Sequence, residues 1–309
     1  MNLNPSNQLF LYGHLSEFCN FIDLYKNKKL PNKILLSGEK GIGKSTLAYH
    51  IINHILSFDE DHSYDKKNFK IDPENKSYKL ILNKSNPNFI SIDVDEDKKN
   101  IDINQIRNLI LTLNKSSFNK KPRLVLIDNI ELLNVNSVNA LLKILEEPNE
   151  NIYFILINNH KKILPTLSSR CLNYKIHLKF EESFDISRKI LGENVKDLIH
   201  DQMINNYSTP GSILNLLNFA NTNDIDLTKI NLKDFIKKII VEKKYKKDQL
   251  VKQLLYSLIE LYFRQNVSLK NINLLKIQNY FIKKINNTKI FNLDEESLFM
   301  EFEDKVLNG

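Results

Sequence analysis

Glycine is scarce in this chain, and the way it is distributed constrains the fold. The 309 residues contain seven glycines, and Gly38, Gly41 and Gly43 fall within a single short stretch, GEKGIGKS, at residues 38–45. This stretch matches the phosphate-loop pattern G-x-x-x-x-G-K-[ST] without departure. The apolar run KILLS precedes it and a helical pattern follows it, which is the strand–loop–helix context that the motif requires. The sequence therefore predicts a nucleotide-binding loop in an α/β fold.

The chemistry of this loop suggests a role for each of its residues. The glycines allow backbone N–H groups to turn toward phosphates at the positive end of the following helix. Lys44 would neutralise the β- and γ-phosphates of ATP, and the Ser45 hydroxyl would bind Mg²⁺. Ile42 and Thr46 complete the predicted ATP-binding loop. The alternative is a glycine-rich turn that holds no ligand.

Asp128 closes a later apolar run, RLVLI, where a second carboxylate is expected to hold the Mg²⁺ shell. Alone it would be an ordinary strand-ending aspartate. The next residue is Asn129, at the position where a working ATPase usually has a glutamate that polarises the attacking water. An amide can accept a hydrogen bond from water but is a poor general base. Glu131 follows two residues later and is expected to point elsewhere. We therefore predict that ATP binds, and that hydrolysis by the isolated chain is weak or absent.

The order of the patterns predicts the architecture. Apolar runs alternate with helical patterns up to about residue 180, which indicates a largely parallel sheet with helices between its strands. The run IYFILIN is a further buried strand, and Asn158 at its end could orient a water or a phosphate, or could simply be a turn residue. Residues 59–88 are mostly polar, and we interpret them as a surface insertion. Helical patterns dominate after residue 180.

Composition excludes some classes of protein and leaves others open. The hydrophobic fraction of 42% and the charged fraction of 26% are typical of a globular protein. The sequence contains no apolar run long enough to span a membrane, and its first residues lack the pattern of a signal peptide, so we expect a cytoplasmic location. The net charge of +7 would suit a nucleic-acid partner, although the abundance of lysine, asparagine and isoleucine throughout offers a simpler explanation.

Metal-binding patterns are weak. The two cysteines, Cys19 and Cys171, are far apart, which indicates neither a disulfide framework nor a metal knuckle. His50 and His54 are four residues apart, but Ile51 stands where a zinc protease would have a glutamate. We predict no zinc site.

Two further motifs carry a resemblance. The stretch NALLKILEEP follows the aspartate strand, and ILPTLSSRC follows the next strand. Together they resemble the bacterial clamp-loader family of DNA polymerase III, and within it the delta-prime type. The resemblance covers nearly the whole chain, beginning at LYGHLSEF, and is firmest up to residue 171. It implies an AAA+ P-loop core at residues 1–178, a small helical lid at 179–224 and an all-α oligomerisation collar at 225–309.

The resemblance also implies a role in DNA replication. Family members form an open hetero-oligomeric ring that opens a sliding clamp and places it on primer–template DNA. The implied partners are the ATPase subunit, the clamp-opening subunit and, through the assembled ring, the clamp and the DNA. The family's arginine finger corresponds to Arg170, which would act in trans on the neighbour's ATP. The alternative is that Arg170 caps a helix or pairs with an acid. Nothing in the chain resembles a polymerase active site.

Some features depart from the family or from local rules. No cysteine lies between the phosphate loop and the aspartate strand, so the four-cysteine zinc module of many members is missing. Leu214, beside Asn215, stands where motor subunits carry a lid arginine, which again argues against efficient hydrolysis. Glu146 and Glu147 lie at a helix C-terminus, where the helix dipole disfavours negative charge. They suggest an interface role or a salt bridge to a nearby lysine.

Two other functions compete with this interpretation. The first is a self-sufficient ATPase, such as the clamp loader's own motor subunit. The second is a P-loop nucleotide kinase, which would need an arginine-rich acceptor lid and leaves the helical last third of the chain unexplained.

Overall fold

The computed structural model describes residues 3–95, 98–115, 119–146, 151–159, 161–205, 207–246, 249–266, 272–291 and 293–308. The chain divides into two compact units, residues 1–182 and residues 183–309. Each unit has buried apolar clusters of its own. The predicted core at residues 1–178 ends close to the boundary between the two units.

A five-stranded parallel sheet lies at the centre of the first unit, in the order β2-β3-β4-β1-β5. Its strands are β1 (Lys33–Ser37), β2 (Phe89–Ile92), β3 (Arg123–Ile127), β4 (Ile152–Asn158) and β5 (Leu172–Lys175). The predicted parallel sheet is confirmed, and the apolar runs KILLS, RLVLI and IYFILIN form β1, β3 and β4. β5 is an additional edge strand whose side chains are exposed or half-buried, so no apolar run indicates it.

Helices cover both faces of this sheet. They are α1 (Leu15–Lys26), α2 (Lys44–Leu56), α3 (Lys76–Leu82), α4 (Ile103–Leu113), α5 (Val135–Glu146) and α6 (Pro165–Ser168). Successive side chains of a strand point to opposite faces. In β3, Leu124 and Leu126 accordingly join the cluster of α1 and α2, whereas Val125 and Ile127 join the cluster of α4 and α5. The core therefore has three layers, with the sheet between two layers of helices.

Residues 59–88 differ from the predicted surface insertion. Tyr64 and Ile71 are buried in the same cluster as α1 and α2, and α3 adds Tyr78 and Ile81 to it. The side chain of Asn75 caps α3 by accepting from the Tyr78 N–H. A few apolar residues, spaced among polar turn residues, thus bring the segment into the core. Because these few apolar residues stand among many polar ones, the composition of the segment conceals their burial.

The second unit is helical, as predicted. α7 (Phe180–Leu191) leads into it, and α8 (Val195–Leu198), α9 (Pro210–Thr222), α10 (Leu232–Val241), α11 (Gln249–Asn266), α12 (Ile272–Phe291) and α13 (Glu295–Phe302) follow. Helices from the predicted lid and from the predicted collar contribute to one hydrophobic cluster. The division into lid and collar stays a prediction. Among the described residues, no helix combines the length and the hydropathy that crossing a bilayer requires.

α2 carries a fully buried histidine next to the segment just described. His50 Nε2 lies 3.0 Å from the Gln8 carbonyl oxygen, and His50 Nδ1 lies 2.9 Å from the Tyr64 hydroxyl. A carbonyl only accepts, so Nε2 carries the proton and Nδ1 accepts from the tyrosine. Both ring nitrogens are thus engaged within the chain. Burial lowers the pKa of His50 from 6.5 to about 4.

This lowered pKa predicts a loss of stability in mild acid. The unfolded chain binds a proton at His50 below about pH 6.5, whereas the folded chain resists protonation down to about pH 4. The contribution is therefore complete above pH 6.5 and is lost as the pH falls toward 4. We expect His50→Gln to remove about 2 kcal/mol of the fall in unfolding free energy between pH 7 and pH 5. Urea denaturation at the two pH values measures this difference.

The exposed His177 provides the matched control, and His177→Gln should leave the pH dependence of the wild type unchanged. An equal fall in unfolding free energy for wild type and His50→Gln would contradict the assignment.

Candidate functional site

The phosphate loop leaves β1 with a backbone that only glycine tolerates. A Cβ on Gly38 would lie 2.3 Å from the Ile176 carbonyl oxygen, so a side chain there would collide with backbone. Gly41 and Gly43 have φ angles of 85° and 94°, in the left-handed region that favours glycine. Gly43 also caps α2 at its N-terminus. The clustering of the scarce glycines therefore has the backbone reason that the sequence suggested.

Lys44 lies inside this loop. Its ammonium donates hydrogen bonds to the carbonyl oxygens of Gly38, at 2.9 Å, and of Glu39, at 2.5 Å. Burial lowers the pKa of Lys44 to about 8, although Asp128 and Glu131 oppose this shift through their charges. The lysine thus holds a positive charge at the centre of the loop, where a phosphate would need it.

Ser45 and Asp128 meet in space, as a shared role in Mg²⁺ binding requires. The Ser45 hydroxyl donates a hydrogen bond to Asp128 Oδ2, although the two residues are far apart in sequence. Burial raises the pKa of Asp128, and the hydrogen bond from Ser45 partly offsets that rise. A hydroxyl and a carboxylate are hard oxygen ligands of the kind that Mg²⁺ prefers.

His14 contacts the same loop, a role that no pattern in the sequence predicted. Its Nε2 lies 2.7 Å from the Ile42 carbonyl oxygen and so donates a hydrogen bond to it. Its ring also lies beside Gly43, where a Cβ would be 3.9 Å from His14 Cδ2. Burial lowers the pKa of His14, which favours the neutral ring. The stretch LYGHLSEF contained this residue, but no local pattern links it to a loop far along the chain.

Asn129 is held by hydrogen bonds on both sides of its amide. Its Nδ2 donates to Asp93 Oδ1 at 2.7 Å, and its Oδ1 accepts from Asn159 Nδ2 at 2.8 Å. Its φ angle of 53° lies in the left-handed region, which asparagine tolerates better than most residues. The side chain therefore joins the residues that follow β2, β3 and β4. An amide bound in this way is poorly suited to activate a water molecule.

Glu131 lies closer to the site than predicted. A short 3₁₀ turn, Ile130–Leu132, follows β3. The Glu131 carboxylate accepts from Asn159 Nδ2 at 3.1 Å and from the Asn159 backbone N–H at 3.3 Å, and its charge acts on Lys44. The expectation that it points elsewhere was wrong, because that expectation ignored the turn.

Asn158 and Asn159, at the end of β4, have different partners, although the sequence pointed only to Asn158 as a residue that could orient a water or a phosphate. The Asn158 carbonyl oxygen accepts from the Gly38 N–H at 3.2 Å, so the end of β4 supports the phosphate loop. Its side chain, however, bonds to backbone groups of Lys161 and forms a turn. Asn159 is the residue whose amide reaches Asn129 and Glu131. Two adjacent asparagines at a strand end cannot be distinguished by pattern alone.

Arg170 follows α6 and bonds to neither the phosphate loop nor Asp128 among the described residues. Its Nε donates to Glu146 Oε1 at 3.1 Å, its Nη2 contacts the same oxygen, and its Nη1 donates to the Thr166 carbonyl oxygen at 2.8 Å. The side chain remains 33% accessible. Glu146 therefore forms a salt bridge, but to an arginine rather than to the predicted lysine, while Glu147 lies outside the described residues. The arginine-finger role of Arg170 stays a prediction.

The remaining predicted residues make no contact, in the ranges that the structure describes, that assigns them a role in the site. Thr46 is half-buried in the first turn of α2 and makes no side-chain hydrogen bond within the described part of the chain. In α9, Leu214 is buried and Asn215 is exposed. The described ranges contain no group of three or more histidine, cysteine, aspartate or glutamate residues that could hold a metal ion by themselves. A Mg²⁺ ion here would depend on the nucleotide for further ligands, as is usual in phosphate-loop sites.

The residues present therefore fit ATP with Mg²⁺. The loop offers a turned backbone, one buried ammonium and the N-terminus of a long helix, while Ser45 and Asp128 supply oxygen ligands. The backbone contact at Gly38, which leaves no room for a Cβ, is consistent with a loop shaped by its backbone rather than by side chains.

Comparison with known proteins agrees with this geometry. The family model described as "DNA polymerase III, delta subunit" matches residues 15–180. The delta-prime subunit of DNA polymerase III from Buchnera aphidicola subsp. Schizaphis graminum is 27% identical over 289 residues, which cover 88% of this chain and 84% of that protein. The gamma subunit from the same organism is 33% identical over 212 residues, covering 67% of this chain and 55% of that protein.

A solved structure supports the fold. A DNA polymerase III gamma subunit-related protein from Thermotoga maritima superposes with a TM-score of 0.51 at 18% identity, covering 91% of this chain and 96% of that chain. The family model spans more than half of the chain, and its match includes both the phosphate loop and Arg170. The chain therefore belongs to the DNA polymerase III delta-prime family.

Proposed function

We propose that this chain is an ATP-binding, largely non-motor subunit of the replicative clamp loader. One observation carries the proposal: an intact phosphate loop lies beside an Asn129 amide that is bonded on both sides, where a working ATPase needs a general base. Such a site can bind a triphosphate without hydrolysing it efficiently. The chain would then act as a fixed member of the ring rather than as its motor.

In this proposal the residues of the site bind and orient the nucleotide. Lys44 neutralises phosphate charge, the backbone N–H groups of residues 38–45 surround the phosphates, and His14 supports the loop from behind. Ser45 and Asp128 hold the Mg²⁺ that accompanies ATP and neutralises charge on its phosphates. Asp93 and Asn159 keep Asn129 in place, and Glu131 accepts hydrogen bonds from Asn159.

The second part of the proposal concerns Arg170. Its guanidinium is partly exposed and is supported by Glu146 and Thr166. A planar, permanently charged group in such a position can approach the phosphate of a neighbouring molecule. We propose that it acts in trans on the ATP of the adjacent ATPase subunit, as an arginine finger does.

The proposed partners follow from membership of this family. They are the ATPase subunit, the clamp-opening subunit and, through the assembled ring, the sliding clamp and primer–template DNA. The similarity to a DNA polymerase III gamma subunit supports a second candidate function, an ATPase-active motor subunit. The ATP turnover of the isolated chain distinguishes this motor from the proposed non-motor subunit. The cytoplasmic location and the division into lid and collar stay predictions.

The isolated chain should bind Mg·ATP but turn it over slowly. Without a general base, we expect turnover about 10² to 10⁴ times below that of an ordinary enzyme. Equilibrium dialysis measures binding, and single-turnover hydrolysis of labelled ATP measures the chemical step. Lys44→Ala should abolish binding and so identify the loop as its site. Turnover of several molecules per second by the wild type would favour the motor instead.

Arg170→Ala should reduce hydrolysis by the neighbouring subunit. In a loader reconstituted with the cognate ATPase subunit, clamp and primed DNA, we expect the turnover number to fall by about 10³. Arg170→Lys keeps the charge but loses the planar fork, so most of the loss should remain.

Arg188→Ala is the matched control, because Arg188 is an exposed arginine paired with Asp185 on α7. This variant should hydrolyse ATP like the wild type. If Arg170→Ala also matches the wild type in an intact assembly, the role in trans is wrong.

A further inference from the structure

The contact between Glu146 and Arg170 carries an inference that rests on the proposed function. Glu146 is the last residue of α5, where the helix dipole disfavours a carboxylate by about 0.3–1 kcal/mol. Residues placed against a local structural preference, such as a carboxylate at a helix C-terminus, tend to mark functional sites. Here the neighbouring guanidinium supplies the compensating charge. The question is what this pairing does for the arginine.

The hydrogen bonds of Arg170 answer part of this question. A guanidinium has five N–H donors in one plane. Glu146 Oε1 accepts from Nε and from Nη2, and the Thr166 carbonyl oxygen accepts from Nη1. One N–H on each terminal nitrogen is therefore left without a partner among the described residues. Two such donors are what a phosphate group needs for a bidentate contact.

The two acceptors also come from separate elements. Glu146 belongs to the end of α5 and Thr166 to α6, and α6 packs against α5. An acceptor on each side of the guanidinium restricts its rotation, whereas a single contact would leave the plane free to turn. Because arginine is long and flexible, such support lowers the conformational entropy lost when a phosphate binds.

We propose that Glu146 is a positioning residue for Arg170, which it holds with two N–H groups directed to the phosphate of the adjacent subunit. Glu146 does not itself touch that phosphate. It acts through the arginine, by orienting the guanidinium before the neighbouring ATP is in place. The carboxylate at the unfavourable end of α5 is thereby explained.

A variant series in the reconstituted loader tests the proposal. Glu146→Ala should lower the turnover number of the partner about three- to tenfold, while the KM for ATP and the affinity of assembly stay unchanged. Glu146→Gln keeps an oxygen that accepts the same two N–H groups, so it should restore turnover to within about twofold of the wild type. The exposed Glu193 gives the control, and Glu193→Ala should have no effect.

A double-mutant cycle separates positioning from a general structural effect. In an Arg170→Ala background, Glu146→Ala should cause no further loss. An equal further loss in that background would overturn the proposal, as would an increase in turnover for Glu146→Ala alone, which would mean that Glu146 restrains the arginine. A wild-type rate for Glu146→Ala, with a slow Arg170→Ala, would overturn this inference but leave the role of Arg170 intact. A wild-type rate for Arg170→Ala would overturn both.

Discussion

The first unit depends on a close approach of backbone to backbone at the start of the phosphate loop. Gly38 lies against the Ile176 carbonyl with no room for a side chain, and its N–H donates to the end of β4. The Ile176 N–H in turn donates to the Ser37 carbonyl oxygen at 2.8 Å. The loop is thus clamped between the ends of two strands that flank β1. This clamp keeps Lys44 and Ser45 at the same edge of the sheet as Asp128.

Two systems of polar side chains lie at that edge of the sheet, and they differ in the chemistry that they suit. Lys44, Ser45 and Asp128 form the part that suits a triphosphate and its metal. Asp93, Asn129, Asn159 and Glu131 form a hydrogen-bonded chain across the ends of β2, β3 and β4. In the second system, hydrogen bonds occupy both ends of the Asn129 amide. This is the position where a motor subunit would carry a catalytic carboxylate. Its carboxylates, Asp93 and Glu131, instead accept hydrogen bonds from amide groups.

The sequence predicted the elements whose cause is local. The phosphate loop and the strands β1, β3 and β4 follow from short patterns that carry their own physical reason. The burial of residues 59–88 did not follow, because its four buried apolar residues are separated by many polar ones. The roles of His14 and Asn159 did not follow either, because each depends on a partner brought close only by the fold. Glu131 was misjudged since a single 3₁₀ turn decides its direction.

The lowered pKa of Lys44 makes the phosphate loop a proton-linked site. Near pH 8 a substantial fraction of free chains would carry this amine uncharged, whereas a bound polyanion favours the ammonium form. Association with a nucleotide would then draw a fraction of a proton from the solution. The heat measured on mixing would vary with the ionisation enthalpy of the buffer, even though no buffer molecule takes part in the complex.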